Sequence, residues 1–336
     1  MKKFLPIASE NKLSSLLRRR MLLSMAALPL LPNPAFADGS YPNKPIRFIV
    51  PFTPGSGGEV AARFIGTKIT ELTGQPVIVE ARGGGNGIIG VNAALSAPAD
   101  GYTLFFGSNS TLATNVALFK DLPYDPLKDF KPISLVLRSP IVLLTSNDSQ
   151  YKTLADFVEH AKKEPGLRTI GTGSAGYQLM GALFGERARF SYTNVPYKSA
   201  PETVIAVVSG QVDIGIVDIT SAMPLIRGGR ARPLAIASEK RNPGIPSVPT
   251  TDESGVKDFT AAPWNGVAAP ARVPDEIVQK LSDLMKQVMA MPETQKYLGD
   301  LHVEVMQGGR EEMTAYQREE VEKWKGIAAV AGVQAQ

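Results

Sequence analysis

The sequence predicts an α/β protein with mostly parallel sheets, divided into two lobes. Short apolar runs typical of strands alternate with stretches of helical spacing along almost the whole chain. Turns rich in glycine, proline, serine and threonine separate these runs, as in strand–helix units. The roughly 300 residues that follow the first 37 exceed one ordinary hydrophobic core, so we expect two lobes.

Residues 1–37 have the composition of a cleavable signal peptide. Three consecutive arginines precede an apolar run over residues 21–31, and Ala35 and Ala37 supply the small residues of a cleavage site. The apolar run is too short to span a bilayer. We therefore expect export by the general secretory or the twin-arginine route and cleavage after Ala37. The mature protein should be periplasmic and not embedded in a membrane.

The leader also accounts for the basic character of the whole chain. The chain has 36 Lys and Arg and 32 Asp and Glu. Six of the basic residues and one of the acidic residues lie in the leader, which leaves 30 and 31. A nearly neutral mature chain without a basic arm indicates no nucleic-acid partner. The lack of cysteine excludes disulfides, thiolate catalysis and cysteine-ligated metals.

The first strand–helix unit contains a candidate binding loop. An apolar strand over residues 46–51 leads into a glycine-rich loop over residues 52–58, and the helix that follows ends near Gly74. Such a loop directs the free N–H groups of a helix N-terminus outward, which suits an anion. Alternatively, the loop only joins strand to helix, and Glu59 only complements the helix dipole.

Two later loops at strand ends offer hydroxyl and amide donors. Residues 107–111 read Gly-Ser-Asn-Ser-Thr, and residues 171–176 read Gly-Thr-Gly-Ser-Ala-Gly. Ligands of such sheets lie beyond the carboxyl ends of strands, so both loops are candidates for binding a carboxylate. The alternative is ordinary helix capping.

Residues 85–90 match the G-x-G-x-x-G pattern of dinucleotide-binding loops. The helix after this motif is short, and no acidic residue follows the next strand to bind a ribose. We therefore expect a structural or ligand-lining turn there, and no cofactor.

The remaining elements continue the alternation. Strands are predicted over residues 77–80, 102–106, 133–137, 167–171, 194–196, 212–217, 233–237 and 266–269. Helices are predicted over residues 111–119, 153–163, 178–187, 201–209 and 221–227, and from residues 274, 292 and 310 onward. Thr153 and Asp156 have the spacing of a capping box.

The sequence contains no recognisable catalytic or metal-binding arrangement. Ser174 lacks the G-x-S-x-G setting of a nucleophile elbow, and neither His160 nor His302 neighbours a serine or acidic motif. No spacing of His, Asp and Glu fits a metal site. Trp264, at the start of the last predicted strand, is expected in the core.

Taken together, the chain resembles the extracytoplasmic solute receptors of tripartite tricarboxylate transporters, the Bug family. The landmarks are YPNKPIRFIVPFTPG, ADGYTLFFGSNSTLATN, LPYDPLKDF, NVPYKSAPETVIAVVSGQVDIGIVDITSAMPLI and PWNGVAAPARVPDEIVQKL. The resemblance implies a two-lobed periplasmic binding protein of the type II kind, with the ligand cleft between the lobes, and not an enzyme. It also implies a small carboxylate ligand and delivery to the membrane permease subunits of such a transporter. We expect a monomer.

The resemblance also implies where the ligand binds, through the three loops described above. The family usually has Asp where Glu59 stands and often has Asn where Asp218 stands, so the identity of the ligand stays open. The expected ligand-binding residues are Thr53, Pro54, Gly55, Ser56, Gly57, Gly58, Glu59, Ser108, Asn109, Thr111, Thr172, Gly173, Ser174 and Asp218.

We predict that lobe one comprises residues 41–139 and 264–336, and lobe two residues 140–263. The chain would then cross twice between the lobes. Two alternatives to a transport receptor remain: an exported sensor that signals to a membrane receptor, and an exported hydrolase.

Overall fold

A computed structural model of the protein describes residues 41–333 and 335. The predicted leader and its cleavage site lie outside the described residues. The strands are β1 (Ile46–Val50), β2 (Val77–Ala81), β3 (Thr103–Ser108), β4 (Phe130–Arg138), β5 (Ile141–Ser146), β6 (Thr169–Thr172), β7 (Thr193–Pro196), β8 (Ile214–Asp218), β9 (Ala231–Ile236), β10 (Trp264–Pro270) and β11 (Glu304–Val305).

The helices lie between these strands and at the C-terminal end. They are α1 (Gly57–Thr73), α2 (Ile88–Leu95), α3 (Asn115–Leu118), α4 (Leu154–Lys163), α5 (Ala175–Ala188), α6 (Ala200–Val208), α7 (Ile219–Arg227), α8 (Asp275–Ala290), α9 (Pro292–Asp300) and α10 (Arg310–Val330). A π-helical turn over Ser110–Thr114 precedes α3. None of the described helices combines the length and apolar character needed to cross a membrane.

The strands form two mixed sheets. The first has the order β11-β4-β10-β3-β1-β2, and the second has the order β7-β6-β8-β5-β9. The prediction of mostly parallel sheets is wrong, because β10 pairs antiparallel with β3 and β4, and β5 pairs antiparallel with β8 and β9. The chain enters each sheet against the direction of its neighbours: β10 returns from the second sheet to lie between β3 and β4, and β5 lies between β8 and β9.

The membership of the sheets supports the predicted lobes. The first sheet takes strands from residues 46–138 and 264–305, and the second from residues 141–236. The two crossings lie side by side, since the amide of Ser139 donates to the carbonyl of Pro263 at 2.8 Å. Paired short crossings of this kind permit hinge closure. The names lobe one and lobe two are kept for the predicted ranges, whose limits remain a prediction.

Apolar faces of the helices pack on both sheets. Helix α1 buries Ala61, Ile65 and Ile69 against the first sheet, at the spacing of one helical face. The capping box of Thr153 and Asp156 at the start of α4 is confirmed, with both hydrogen bonds present. One apolar cluster is continuous across the lobes and joins helix α10 of lobe one to helix α5 of lobe two.

His302 lies at a contact between the lobes on the surface of the molecule. Its Nε2 is 2.9 Å from a guanidinium nitrogen of Arg227, and its backbone carbonyl accepts a hydrogen bond from Asn242 at 3.0 Å. Because the guanidinium group has only donors, Nε2 must accept and the ring must be neutral. Burial lowers the pKa of His302, and the charge of Arg227 lowers it further.

We expect the stability contributed by His302 to fall in mild acid. A histidine with a depressed pKa in the folded state contributes stability above its ordinary pKa of about 6.5, and this is lost as the pH falls through the folded-state value. Asparagine tolerates the φ of 63° at this position, so His302→Asn should unfold with a smaller acid dependence. Urea unfolding between about pH 5 and pH 8 measures this. Identical pH profiles for the two proteins would contradict the expectation.

Candidate ligand-binding site

A cavity lies between the lobes, where the carboxyl ends of β1 and β3 face those of β6 and β8. Its volume is about 40 Å³, which is room for a few waters. The lobes are in direct contact beside the cavity, where Ser110 of lobe one donates to Ser174 of lobe two.

The N-terminus of α1 forms one wall of the cavity. Ser56 caps the helix and accepts a hydrogen bond from the amide of Glu59 at 3.4 Å. The buried carboxylate of Glu59 turns back to accept from the amide of Gly55 at 3.1 Å and pairs with Arg63. Gly57 and Gly58 line the cavity, and their amides belong to the first turn, which has no intrahelical acceptors. Glu59 thus fixes the loop before α1 through the amide of Gly55. The amides of Gly57 and Gly58 can donate to a ligand.

Asn109 forms a second part of the wall and is fixed by a carboxylate behind it. Its Nδ2 donates to Oε2 of Glu320 on α10 at 3.1 Å, and its Oδ1 accepts from Thr114 at 2.8 Å. The same Oε2 accepts from Nε1 of Trp264 at 3.2 Å and from Nε1 of Trp324 at 2.8 Å. One buried oxygen therefore orients two side chains of the cavity, Asn109 and Trp264.

Hydroxyl groups join the lobes across the cavity. Ser174 caps α5 in lobe two, and Ser110 of lobe one donates to its Oγ at 3.0 Å. Ser110 Oγ also accepts from the amide of Gly176 at 3.1 Å. Ser110 thus occupies the N-terminus of α5, the place that suits an anion. Gly173 must be glycine, because a Cβ there would lie 2.4 Å from the backbone of Ser199.

Asp218 brings a carboxylate to the lobe-two side of the cavity. It caps α7, with Oδ1 accepting from the amide of Ser221 at 2.9 Å. Its Oδ2 accepts from the Ser221 hydroxyl at 2.9 Å and from the Tyr177 hydroxyl at 3.0 Å. Burial raises the pKa of the Tyr177 phenol well above its usual range, and the charge of Asp218 raises it further. Tyr177 therefore stays protonated and donates.

The structure brings eight of the fourteen predicted binding residues to this cavity. They are Ser56, Gly57, Gly58, Ser108, Asn109, Gly173, Ser174 and Asp218. The three predicted loops therefore do meet at one place. Whether these residues contact a ligand remains a prediction.

The other six predicted residues lie beside the cavity without lining it. Thr53, Pro54 and Gly55 belong to the outer part of the first loop, where Pro54 and Gly55 are exposed. Glu59 is turned towards Arg63, as described above. The Thr111 hydroxyl bonds to the backbone of Ser108, and the Thr172 hydroxyl donates to Asn194 at 2.8 Å. These side chains support the loops.

Several lining residues were not among those predicted. Ser110 and Gly176 lie within the two loops that the sequence analysis singled out. Their place in those loops is the signal that could have identified them as lining residues. Tyr177 directly follows the loop over residues 171–176, and Asn265 directly follows Trp264. Trp264, expected in the core, is fully buried and also forms part of the cavity wall.

The chain is similar to known proteins over most of its length. The model of the tripartite tricarboxylate transporter family receptor matches residues 61–333. BugT of Bordetella pertussis is 31% identical over 302 residues, which cover 89% of this chain and 92% of that protein.

Two solved structures from Rhodopseudomonas palustris share the fold. Rpa4515, solved with adipate, has a TM-score of 0.85 at 29% identity and covers 88% of this chain and 100% of that one. MatC, with bound malate, has a TM-score of 0.80 at 28% identity and covers 85% and 99%. The chain therefore belongs to the receptor family of tripartite tricarboxylate transporters, whose solved members include periplasmic binding proteins.

Proposed function

We propose that this protein is a periplasmic receptor that closes on a small carboxylate and delivers it to a two-component membrane permease. The observation that carries the proposal is the meeting of two helix N-termini, those of α1 and α5, at one cavity between the lobes. The positive end of a helix dipole favours an anion at each, and the amides of Gly57 and Gly58 in the first turn of α1 have no intrahelical acceptor. Adipate and malate, found with two similar proteins, are both small carboxylates.

The strength of binding should come from several neutral donors acting together. A micromolar Kd corresponds to about 8 kcal/mol. The dipole of one helix N-terminus contributes only about 0.3–1 kcal/mol. Donors from both lobes, together with exclusion of water on closure, are therefore needed.

A thermal-shift screen against mono-, di- and tricarboxylates, amino acids and aromatic acids tests the proposal. A ligand at 100 times its Kd adds about 2.7 kcal/mol to the free energy of unfolding. Stabilisation by at least one acid, followed by calorimetric confirmation, is the expected result. If no acid stabilises the protein, while neutral solutes do, carboxylate capture is the wrong function.

We expect Ser174→Ala to weaken binding of the acid found in that screen by about 1–2 kcal/mol, the scale of a hydrogen bond to a charged group. The reason is that Ser174 lines the cavity at the N-terminus of α5. The matched control is Ser209→Ala, since the Ser209 hydroxyl donates to carbonyls of its own helix, away from the cavity. Calorimetry on both variants decides the matter, and equal affinities would remove Ser174 from the site.

A further inference from the structure

The hydroxyl group of Ser110 makes a contact between the lobes inside the cavity. It donates to Oγ of Ser174 at 3.0 Å and accepts from the amide of Gly176 at 3.1 Å. Ser110 belongs to lobe one, and both of its partners lie at the start of α5 in lobe two. Because Ser110 and Ser174 are only 3% and 7% exposed, water competes little for these bonds. We call this contact the serine latch.

The latch satisfies donors that a helix N-terminus otherwise offers to a ligand. The amides in the first turn of a helix have no acceptor within the helix. In α5 the amide of Gly176 donates to Ser110 of the other lobe. The next amide, that of Tyr177, donates to Ser174 at 3.5 Å. The hydroxyl oxygen of Ser110 therefore stands where an oxygen of an anion would stand, and a ligand oxygen can accept from Gly176 only in its place.

Ser110 is held in this position by buried parts of lobe one. It begins the π-helical turn over Ser110–Thr114, all of whose residues are buried. Its neighbour Asn109 is fixed at both ends of its amide, with Nδ2 donating to Glu320 at 3.1 Å and Oδ1 accepting from Thr114 at 2.8 Å. The backbone at Ser110 is therefore held in place, and separation of the lobes is the direct way to withdraw its hydroxyl group from α5.

We infer that Ser110 is a built-in competitor of the ligand: the serine latch holds the lobes together until a ligand oxygen replaces Ser110 at the amide of Gly176. The latch opposes binding, because the protein must give up both hydrogen bonds before the cleft can open and be filled. When the binding-competent form is only a fraction of the population, the apparent affinity falls by that fraction. The competition rests on the proposed carboxylate-binding function, whereas closure by the latch does not.

A distance between the lobes in protein without ligand tests the latch. The chain contains no cysteine, so spin labels attach only at Ile89→Cys and Ile205→Cys. Both isoleucines are exposed, one in α2 of lobe one and the other in α6 of lobe two. After unfolding and dilute refolding to remove bound solutes, pulsed electron resonance should show mainly a short distance. Adding Ser110→Ala should lower the ratio of closed to open protein about 10-fold, the scale of one or two neutral hydrogen bonds.

Ser134→Ala is the matched control for this measurement. Ser134 is a buried serine whose hydroxyl donates to the carbonyls of Leu135 and Gly308, both in lobe one. Its removal should leave the distance between the lobes unchanged. An equal ratio of closed to open protein in Ser110→Ala and in the wild type would overturn the latch, whatever the ligand is.

The competition is tested with the acid that stabilises the protein most in the thermal-shift screen. Calorimetry should show Ser110→Ala binding this acid about 10-fold tighter than the wild type, and Ser134→Ala binding it equally well. Equal or weaker binding by Ser110→Ala would show that Ser110 does not compete with the ligand, and would overturn that part of the inference while carboxylate capture stands. If no acid binds to any variant, the proposed function fails, and the distance measurement still decides whether the latch closes the lobes.

Discussion

Glu320→Ala is expected to lower the free energy of unfolding by about 3–5 kcal/mol. The variant removes the one carboxylate oxygen that accepts from Asn109, Trp264 and Trp324. Both indole groups are buried, so their N–H donors would be left without a partner or water. Each unsatisfied buried donor costs about 1–3 kcal/mol. Chemical unfolding followed by tryptophan fluorescence measures the loss directly, because the reporter residues are those affected.

Two further variants separate this effect from a simple change of charge. Glu322→Ala removes an exposed acid two residues along the same helix, whose one ion pair among residues 41–333 is with Lys325, and should change stability by under about 0.5 kcal/mol. Glu320→Gln retains one acceptor oxygen and should fall between the two. If Glu320→Ala is no less stable than Glu322→Ala, the buried network does not hold the wall of the cavity.

Gly176→Ala is expected to weaken ligand binding about 10-fold or more, equivalent to about 1.4 kcal/mol. A Cβ at this position would lie 2.9 Å from Oγ of Ser110 and 3.0 Å from Oδ1 of Asn109, both in lobe one. The added methyl group therefore acts as a wedge between the lobes. It should not disturb lobe two itself, since alanine suits the first turn of a helix. Calorimetry with the acid identified in the screen measures the affinity.

Small-angle scattering tests independently whether the methyl group keeps the lobes apart. The ligand-bound variant should have a larger radius of gyration than the bound wild type. Gly326→Ala is the control, because, in the part of the chain that the structure describes, no atom beyond its neighbours and its own helix backbone lies within 4 Å of a Cβ placed there. Adding Ser110→Ala to the Gly176→Ala variant removes one clashing atom and should restore part of the affinity. An unchanged affinity in the single variant would show that the lobes do not need this contact when a ligand is bound.

Local patterns in the sequence were sufficient for most elements and for the site loops. The apolar face of α1 and the capping box at Thr153 depend on residues near one another in the chain. The same holds for the glycine and hydroxyl loops at strand ends, which the parallel parts of the sheets bring to one place.

What the sequence did not reveal depends on contacts between distant segments. No strand was predicted over β5 (Ile141–Ser146), which follows β4 after Pro140 and lies in the other sheet. Glu320 stands among several glutamates on α10, and only the approach of Trp264 and Asn109 distinguishes it. Nothing in its immediate neighbours marks it as buried.

The position of β10 has a consequence for how the chain acquires its structure. This strand lies between β3 and β4, so the first sheet cannot be completed until residues 264–270 arrive. Before that, β3 and β4 both present open edges, which are prone to pair with other chains. A chain that emerges from an export channel N-terminus first would expose these edges while all of lobe two is still emerging. Refolding should therefore be slow for a protein of this size and sensitive to concentration, because the pairing that seals lobe one joins segments more than 120 residues apart.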